Sequence, residues 1–293
     1  MASEEHLAQL NLGVAEWNGW RKNHPEISPD LRGANFSGAC LREVNLKGAD
    51  LFETNFYKAD LCLASLMGAN LLLADLREAS LYTANLSEAN LSEANFYKAD
   101  LQEANFSQSN LTKANLSQTN LRQAIFQEAQ ASEANLYNAY LYDANFYKAN
   151  LTQANLRTAN LCKANLREAN LMGANFYQAN LMEANLLLAD LGDAILYAAV
   201  LTQANLQQAN LTQANLREAI LISACLRGAN LYKATLYSAN LQKADLRSAN
   251  LEGASLEAAN LSEANLSEAT LYKTVLRDAI FVGATMPDGT IQN

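Results

Sequence analysis

The sequence predicts an all-β fold in which very short extended segments, joined by turns, wind into one continuous coil. Leu or Phe occupies every fifth position from Leu31 to Phe281, 51 positions in all, and Ala131 is the single exception. Alanine stands two residues before most of these central positions, and Asn or Asp stands immediately before most of them. The repeat reads Ala-(Asn/Asp)-Leu-x-x. The Leu or Phe at the centre of each repeat is position i, so the Ala is at i−2, the Asn or Asp at i−1, and the two variable residues at i+1 and i+2.

A period of five fits neither regular secondary structure. On an α-helix five residues advance about 500°, so successive leucines would spiral around every face. On a continuous strand an odd step would place alternate leucines on opposite faces. The Ala and Leu of one repeat lie two residues apart, on the same side of an extended segment. The chain must therefore turn once per repeat, with Ala and Leu inside and the other three positions outside.

The run from Ala89 to Phe96, Ala-Asn-Leu-Ser-Glu-Ala-Asn-Phe, resembles the pentapeptide-repeat family, and the resemblance covers about 250 residues. It implies a right-handed, four-sided (quadrilateral) parallel β-helix with four repeats, or 20 residues, in each coil. Coils spaced at about 4.8 Å would give about 13 coils and a rod of roughly 60 Å. The predicted domains are an N-terminal cap at 1–30, the β-helix at 31–285, and a C-terminal turn or tail at 286–293.

A 20-residue coil arranges the central phenylalanines in two columns. Seven of the eight fall in these columns, which lie ten residues apart and should face each other across the core: Phe36, Phe56, Phe96 and Phe176 in one, and Phe106, Phe126 and Phe146 in the other. We predict that Phe126 and its stacked neighbours fill the space left by the small side chain of Ala131. The alternative is a local bulge around Gln130 and Ala131.

Both ends of the array need a cover, because an open stack of β-segments exposes unpaired backbone. A helix over about 4–23, with Ser3 as its N-cap, is predicted at the N-terminus. Apolar residues at helical spacing support it: Leu7, Leu10, Val14 and Trp17. At the other end, residues 286–290 (Met-Pro-Asp-Gly-Thr) predict a turn that folds back on the last coil.

One outer column, at i+1 of every fourth repeat, is mostly Tyr and Arg. Ten of its 13 positions from Ser37 to Arg277 carry one of these residues, against 11 of 38 in the other three i+1 columns. Tyr and Arg are enriched at interface hot spots. The column supplies six candidate partner-binding residues: Tyr137, Arg157, Tyr177, Tyr197, Arg217 and Tyr237. The alternative is that Tyr and Arg only stabilise the stack of coils through cation–π and ring contacts.

Apolar residues at the normally polar i−1 position give a second candidate surface. Ile195, Val200 and Ile220 are its candidate partner-binding residues, with Cys225 on the same stretch, and Val275 and Ile280 repeat the feature near the C-terminal end. Contiguous exposed apolar surface is typical of an interface. The alternative is packing variation in a degenerate repeat.

The composition argues against most other chemistry. The only histidines, His6 and His24, lie outside the array, so we predict no catalytic, metal or cofactor site. A net charge of −9 argues against direct nucleic-acid binding. Four scattered cysteines are interpreted as small apolar fillers, and neither a secretory leader nor a membrane span is predicted. We therefore expect a cytoplasmic protein.

These observations favour a non-enzymatic scaffold or regulator that presents a rigid β-helical surface to a partner protein of unknown identity. The resemblance points to pentapeptide proteins abundant in cyanobacteria, and we expect a monomer or an end-to-end dimer. The alternative, also drawn from the family, is a DNA-mimic inhibitor that confers protection on a type II topoisomerase, DNA gyrase. A mimic about 60 Å long would need about 35 negative charges, and the net charge of −9 falls far short of that. A structural or antifreeze-like surface ranks last.

Overall fold

The computed structural model describes residues 2–292, which form two compact units, one ending at Asn145 and the other beginning at Phe146. Within each unit, the i−1 residue of a repeat pairs in parallel with the i−1 residue 20 positions later wherever both residues belong to that unit. The pairing runs from Asp30 with Asp50 onward in the first unit, and from Asn150 with Asn170 onward in the second. Each unit is thus a parallel β-solenoid with the predicted coil length. The hand of the coil, the number of coils and the boundaries at 30/31 and 285/286 stay predictions.

Each repeat closes with a tight turn. The backbone N–H of the next i−2 residue donates to the central carbonyl, as from Ala64 to Leu61 at 3.0 Å. The residue at i+2 has a positive φ, for example 59° at Glu88, which is the signature of a type II turn. Such a φ is strained for any residue but glycine. The coil holds it in place, because the Glu88 N–H donates to the Ser107 carbonyl of the next coil at 2.9 Å.

The i−1 asparagines tie the turns to the stack, as their short side chains predict. The Asn95 side-chain oxygen accepts the backbone N–H of Tyr97 at 3.1 Å, and it also accepts the side-chain amide of Asn115 at 3.0 Å. One asparagine therefore stabilises its own turn and joins the amide of the next coil. The central Leu or Phe and the i−2 Ala point inward, and in both units nearly all of them are buried.

The first unit confirms two facing phenylalanine columns. Phe36 stacks on Phe56 with ring centroids 5.5 Å apart, and Phe106 stacks on Phe126 at 4.8 Å with the rings 5° from parallel. Phe96 meets Phe106 edge to face at 6.0 Å, which is the contact expected between opposed columns. These aromatic contacts join the two columns within that unit's core.

The alternative of a bulge at Ala131 is wrong. Gln130 keeps its parallel pairing with Asn110 and donates its N–H to the Ser109 carbonyl at 2.9 Å. The turn also closes normally, since the Ala134 N–H donates to the Ala131 carbonyl at 3.2 Å. Ala131 is only 2% exposed, so the small centre lies inside an undistorted coil. That Phe126 fills the space stays a prediction.

Replacing Ala131 with Leu tests that prediction. If Phe126 already fills the space, the added side chain overpacks the core and lowers the free energy of unfolding by about 1–3 kcal/mol. Thermal unfolding of the variant should then begin at a lower temperature than that of the wild type. A higher melting temperature would mean that the space is empty and that the prediction is wrong.

The N-terminal cap consists of two helices, whereas one helix over 4–23 was predicted. Helix α1 spans Glu4–Asn11 and helix α2 spans Val14–Asn23. The break falls at Gly13, whose φ of 118° no other residue type adopts readily. Ser3 caps α1 as predicted, because its hydroxyl accepts the His6 N–H. Leu10 and Trp17 are the buried apolar residues of the two helices.

Side chains of helix α2 donate hydrogen bonds to unpaired backbone carbonyls at the open edge of the coil that it covers. The Trp17 indole N–H donates to the Asn45 carbonyl at 2.8 Å, and the Asn18 amide donates to the Glu43 carbonyl at 2.9 Å. The buried Arg21 guanidinium reaches the Lys47 carbonyl at 2.8 Å. Three side chains from about one turn of α2 thus close a β-edge that would otherwise be free.

The C-terminal turn forms as predicted. The Met286 N–H donates to the Thr290 carbonyl at 2.7 Å, and Ile291 pairs antiparallel with Thr285. The chain therefore reverses and covers part of the last coil with its own backbone.

Candidate interaction surface

The second unit carries most of the predicted binding residues in one line. We call this line the second-unit column; it comprises Arg157, Tyr177, Tyr197, Arg217, Tyr237, Glu257 and Arg277. Each member from Arg157 to Glu257 follows a buried central residue, and Arg277 follows the half-buried Leu276, so these side chains point away from the core. Parallel pairing from Asn155 to Val275 stacks the corresponding repeats at about 4.8 Å per coil. The column is therefore a ladder of long side chains on a regular backbone.

Rings and guanidiniums stack along this ladder. Arg157 lies over the Tyr177 ring at 5.1 Å, and Tyr177 stacks on Tyr197 with centroids 5.3 Å apart and planes 10° from parallel. Arg217 lies over the Tyr237 ring at 4.8 Å. Both faces of Tyr177 are thus covered by neighbours in the column. What the column offers to a partner is ring edges, hydroxyls and the in-plane N–H groups of the arginines.

Glu218 and Asp278 place carboxylates beside the column. A hydrogen bond with Glu218 raises the pKa of the Tyr197 phenol above its usual value, so the hydroxyl keeps its proton at neutral pH. At the far end, Arg277 pairs with Glu257. The charged groups that face the column are therefore partly engaged with one another, although Arg157 and Arg217 are not.

An aspartate two positions before an arginine pairs with it, whereas some other arginines pair with a glutamate, as Arg167 does with Glu168 and Arg277 with Glu257. The aspartate and the arginine form a forked ion pair, as in Arg77 with Asp75 at 2.6 Å and Arg247 with Asp245 at 2.6 Å. The guanidinium also lowers the pKa of the Asp75 and Asp245 carboxyl groups through side-chain hydrogen bonds. Bidentate pairs of this kind use the donor edge of the guanidinium.

Arg157 and Arg217 are preceded at that position by Asn155 and Asn215. The side-chain oxygen of each asparagine accepts the backbone N–H of its arginine, at 3.3 and 3.2 Å. Within residues 2–292, neither guanidinium has a carboxylate oxygen within 4.0 Å, so both keep an unneutralised charge. They are exposed, and stacking on tyrosine limits their rotation.

Tyr137 belongs to the corresponding column of the first unit, where it is 41% exposed. In that column Arg77 lies over the Tyr57 ring at 5.5 Å while its charge is paired with Asp75. Tyr97 lies under Lys98 at 5.1 Å. The first unit therefore repeats the stacking but not the unpaired arginines.

The apolar i−1 residues divide between two sides of the second unit. Val200 pairs directly with Ile220, which is 37% exposed, so these two form one patch. Ile195 is 38% exposed and flanks Tyr197, from which only the buried Leu196 separates it. It therefore joins the second-unit column. Sequence reasoning missed Met172 and Leu188, which are 45% and 46% exposed and could have been found as apolar residues at i+1 and i+2.

No group of three or more His, Cys, Asp or Glu in residues 2–292 could hold a metal ion. Over the same range, no helix has the length and apolar character needed to cross a bilayer. Cys62 and Cys162 are buried as expected of fillers, but Cys40 is exposed and Cys225 is half-buried.

Comparison with known proteins identifies the repeat. The family model described as "Pentapeptide repeats (8 copies)" matches in nine overlapping stretches: residues 30–68, 64–92, 89–127, 124–161, 149–186, 159–196, 194–231, 221–253 and 249–286. Together these stretches cover the whole solenoid in both units. No curated protein matches the chain.

Several solved structures are similar. HetL, a pentapeptide repeat protein involved in heterocyst differentiation regulation from the cyanobacterium Nostoc sp. strain PCC 7120, is 34% identical over 82% of this chain and 92% of its own, with a TM-score of 0.29. QnrB1, a plasmid-mediated fluoroquinolone resistance protein, is 19% identical over 67% of this chain and 86% of its own, with a TM-score of 0.29. Rfr23, a pentapeptide repeat protein from the cyanobacterium Cyanothece 51142, is 30% identical over 46% of this chain and 64% of its own, with a TM-score of 0.18.

Proposed function

Because the chain belongs to the pentapeptide-repeat family, we propose that it is a non-enzymatic protein-binding scaffold or regulator. Its contact surface is the second-unit column together with Ile195. The observation that carries this proposal is the stack of Arg157, Tyr177 and Tyr197, which presents ordered aromatic edges and an unneutralised guanidinium on the outside of the coil.

Ordered Tyr and Arg side chains are well suited to protein recognition. They supply large contact areas, and side chains that are already held in place lose little conformational entropy on binding. Tyr177 is held between Arg157 and Tyr197, and the stack stands on a backbone paired in every coil. Ile195 adds exposed apolar area beside the rings. The combination gives a rigid surface with an apolar centre and polar edges.

The same contacts also stabilise the coil stack, and that role by itself is the principal alternative. The two interpretations differ in what a mutation changes. A purely structural column affects stability alone, whereas a binding column affects partner capture in a protein that remains folded. Variants of Tyr177 and Tyr197 separate these outcomes.

Replacing Tyr177 and Tyr197 together with alanine should abolish capture of the partner. The measurement is affinity capture from a lysate of the source organism with immobilised full-length protein, followed by mass spectrometry of the bound proteins. The matched control replaces Tyr147 and Tyr232, which also lie at i+1 in the second unit but in other columns. We expect the control variant to retain the partner at wild-type abundance.

Equal loss of the partner in both variants, or retention in both, would contradict the assignment of the column. Circular dichroism and the melting temperature of each variant establish that the coil is intact. A variant that melts below the capture temperature is replaced by the corresponding Tyr-to-Phe pair, which keeps the stacking area and removes both hydroxyls.

The DNA-mimic alternative has less support. Residues 1–145 contain 18 acidic and 10 basic residues, which gives a net charge of −8. Residues 146–293 contain 12 acidic and 11 basic residues, which gives a net charge of −1. A mimic needs about one charge per 1.7 Å along its whole length. The uneven distribution therefore favours a protein partner for the second unit. A cytoplasmic location, a cyanobacterial source and a monomer or end-to-end dimer remain parts of the proposal on sequence grounds.

A further inference from the structure

The second-unit column contains an anion-recognition pattern, formed by two unpaired arginines on either side of two stacked tyrosines. We infer that the partner contributes an extended acidic segment, whose carboxylates bind Arg157 and Arg217 and whose intervening apolar side chain lies on the edges of Tyr177 and Tyr197. This inference rests on the proposed function and specifies the chemistry of the partner.

The spacing of the arginines supports an extended segment. Arg157 and Arg217 are 60 residues apart, which is three coils of 20 residues, or about 14 Å at strand spacing. In an extended peptide, residues k and k+4 are about 13 Å apart, and k, k+2 and k+4 point to the same side. Carboxylates at k and k+4 would then reach the two guanidiniums while residue k+2 lies over the tyrosines. In a helix the same distance takes about nine residues.

The charge pattern supports an acidic occupant. Residues 146–293 are nearly neutral, with a net charge of −1 from 12 acidic and 11 basic residues, and the corresponding arginines Arg77 and Arg277 pair with Asp75 and Glu257. At Arg157 and Arg217 asparagine stands where Asp75 stands for Arg77, so neither has the aspartate pair, and no other ion pair replaces it within residues 2–292. Unpaired guanidiniums with a fixed donor edge bind carboxylates in the bidentate geometry that the Asp75 pair already shows within this chain.

The covered ring faces argue against a nucleic acid. Single-stranded nucleic acids bind by stacking bases on exposed aromatic faces. Arg157 covers one face of Tyr177 and Tyr197 covers the other, while Arg217 covers a face of Tyr237. On Tyr177 only the edges are available for contact, and edges suit an apolar side chain better than they suit a base.

The test uses the full-length protein and fluorescein-labelled synthetic peptides. The acidic probe is Gly-Asp-Ser-Leu-Ser-Asp-Gly, and the control peptide has asparagine in place of both aspartates. Fluorescence anisotropy at low salt should show the acidic probe binding at least tenfold more tightly than the asparagine peptide. The affinity should fall as salt is added, because the contacts are exposed charges.

Two variants remove the proposed contacts in different ways. R157E/R217E reverses both charges and should weaken binding of the acidic probe at least tenfold. N155D/N215D keeps both arginines but places an aspartate where Asp75 stands for Arg77, so each guanidinium becomes paired internally and binding should weaken several-fold. The matched control is R167E/R227E, which has the same 60-residue spacing at i+1 in another column and should change binding less than twofold.

Three results would overturn the inference: equal binding of the two peptides, equal weakening by R157E/R217E and R167E/R227E, or full binding by N155D/N215D. Tight binding of a twelve-nucleotide oligothymidine that is lost in R157E/R217E would overturn it in favour of a nucleic acid. If the tyrosine variants lose their partner but the wild type shows no preference for the acidic probe, the proposed function stands and this inference fails.

Discussion

Replacing Phe106 with alanine is expected to cause the largest loss of stability of any single change in the first unit. Phe106 is fully buried, stacks on Phe126 at 4.8 Å and meets Phe96 edge to face at 6.0 Å. Truncating a buried phenylalanine costs about 3–5 kcal/mol, and each lost ring pair adds about 0.5–1.5 kcal/mol. Hydrogen exchange should show faster opening of the coils that contain residues 96–126.

The control for this prediction is Phe106→Leu, because leucine occupies most other central positions. We expect it to lose the ring contacts but to keep the coil closed, with a smaller drop in melting temperature than the alanine variant. Equal effects of the two substitutions would mean that stacking contributes little to this core. Hydrogen exchange in the second unit provides an internal reference in both variants.

Replacing Trp17 with alanine should detach the N-terminal cap. Trp17 is fully buried, and its indole N–H binds the Asn45 carbonyl. The substitution removes about 3–5 kcal/mol of packing and leaves that carbonyl without its partner. With α2 displaced, the edge formed by residues 43–47 loses its cover. An exposed parallel edge invites pairing with another chain, so concentration-dependent association is expected in light scattering.

Two further variants separate packing from hydrogen bonding at the cap. Trp17→Phe keeps most of the buried ring and should cost about 1–3 kcal/mol, the typical penalty for an unsatisfied buried carbonyl. Lys22→Ala, on the exposed side of α2, should leave the melting temperature unchanged. A monomeric Trp17→Ala variant with wild-type exchange at residues 43–47 would show that the cap is dispensable.

The solenoid could be predicted from the sequence because one constraint recurs in every repeat. A period of five is incompatible with helix or strand, so the turns, the buried Ala and Leu, and the outward Asn follow from geometry alone. The opposed Phe columns follow from the 20-residue coil, and the contact between Phe96 and Phe106 confirms them. The absence of a bulge at Ala131 follows from the same regularity, because the paired backbone on both sides fixes the register.

The cap could not be predicted in the same detail because it does not repeat. Apolar spacing across Gly13 is continuous, so the pattern indicated one helix, and only the φ of 118° shows that the chain turns there. Asn18 and Arg21 looked like ordinary surface residues of a helix. Their role depends on the carbonyls of residues 43 and 47, which tertiary structure alone brings within reach.

The column was visible in the sequence, but its electrostatics were not recognised there. The sequence contains the signal, since Asp precedes Arg by two residues at Arg77 and Arg247, whereas Asn does so at Arg157 and Arg217. Interpreting it requires knowing that i−1 and i+1 lie close enough for a forked ion pair, which the turn geometry shows. The number of Tyr and Arg residues in the column does not distinguish one arginine from another, whereas the structure shows which arginines form an ion pair with a carboxylate and which do not.

Site-specific photo-cross-linking tests the central claim most directly. A benzophenone amino acid placed at position 177 or 197 of the full-length protein reports which side of the coil the partner contacts. Positions 147 and 232, at i+1 in other columns of the same unit, serve as controls. We predict a cross-linked partner adduct at positions 177 and 197. Excess unlabelled wild-type protein should suppress this adduct, whereas excess Y177A/Y197A protein should not. Adducts of equal yield at all four positions, or adducts at 147 and 232 alone, would contradict the account.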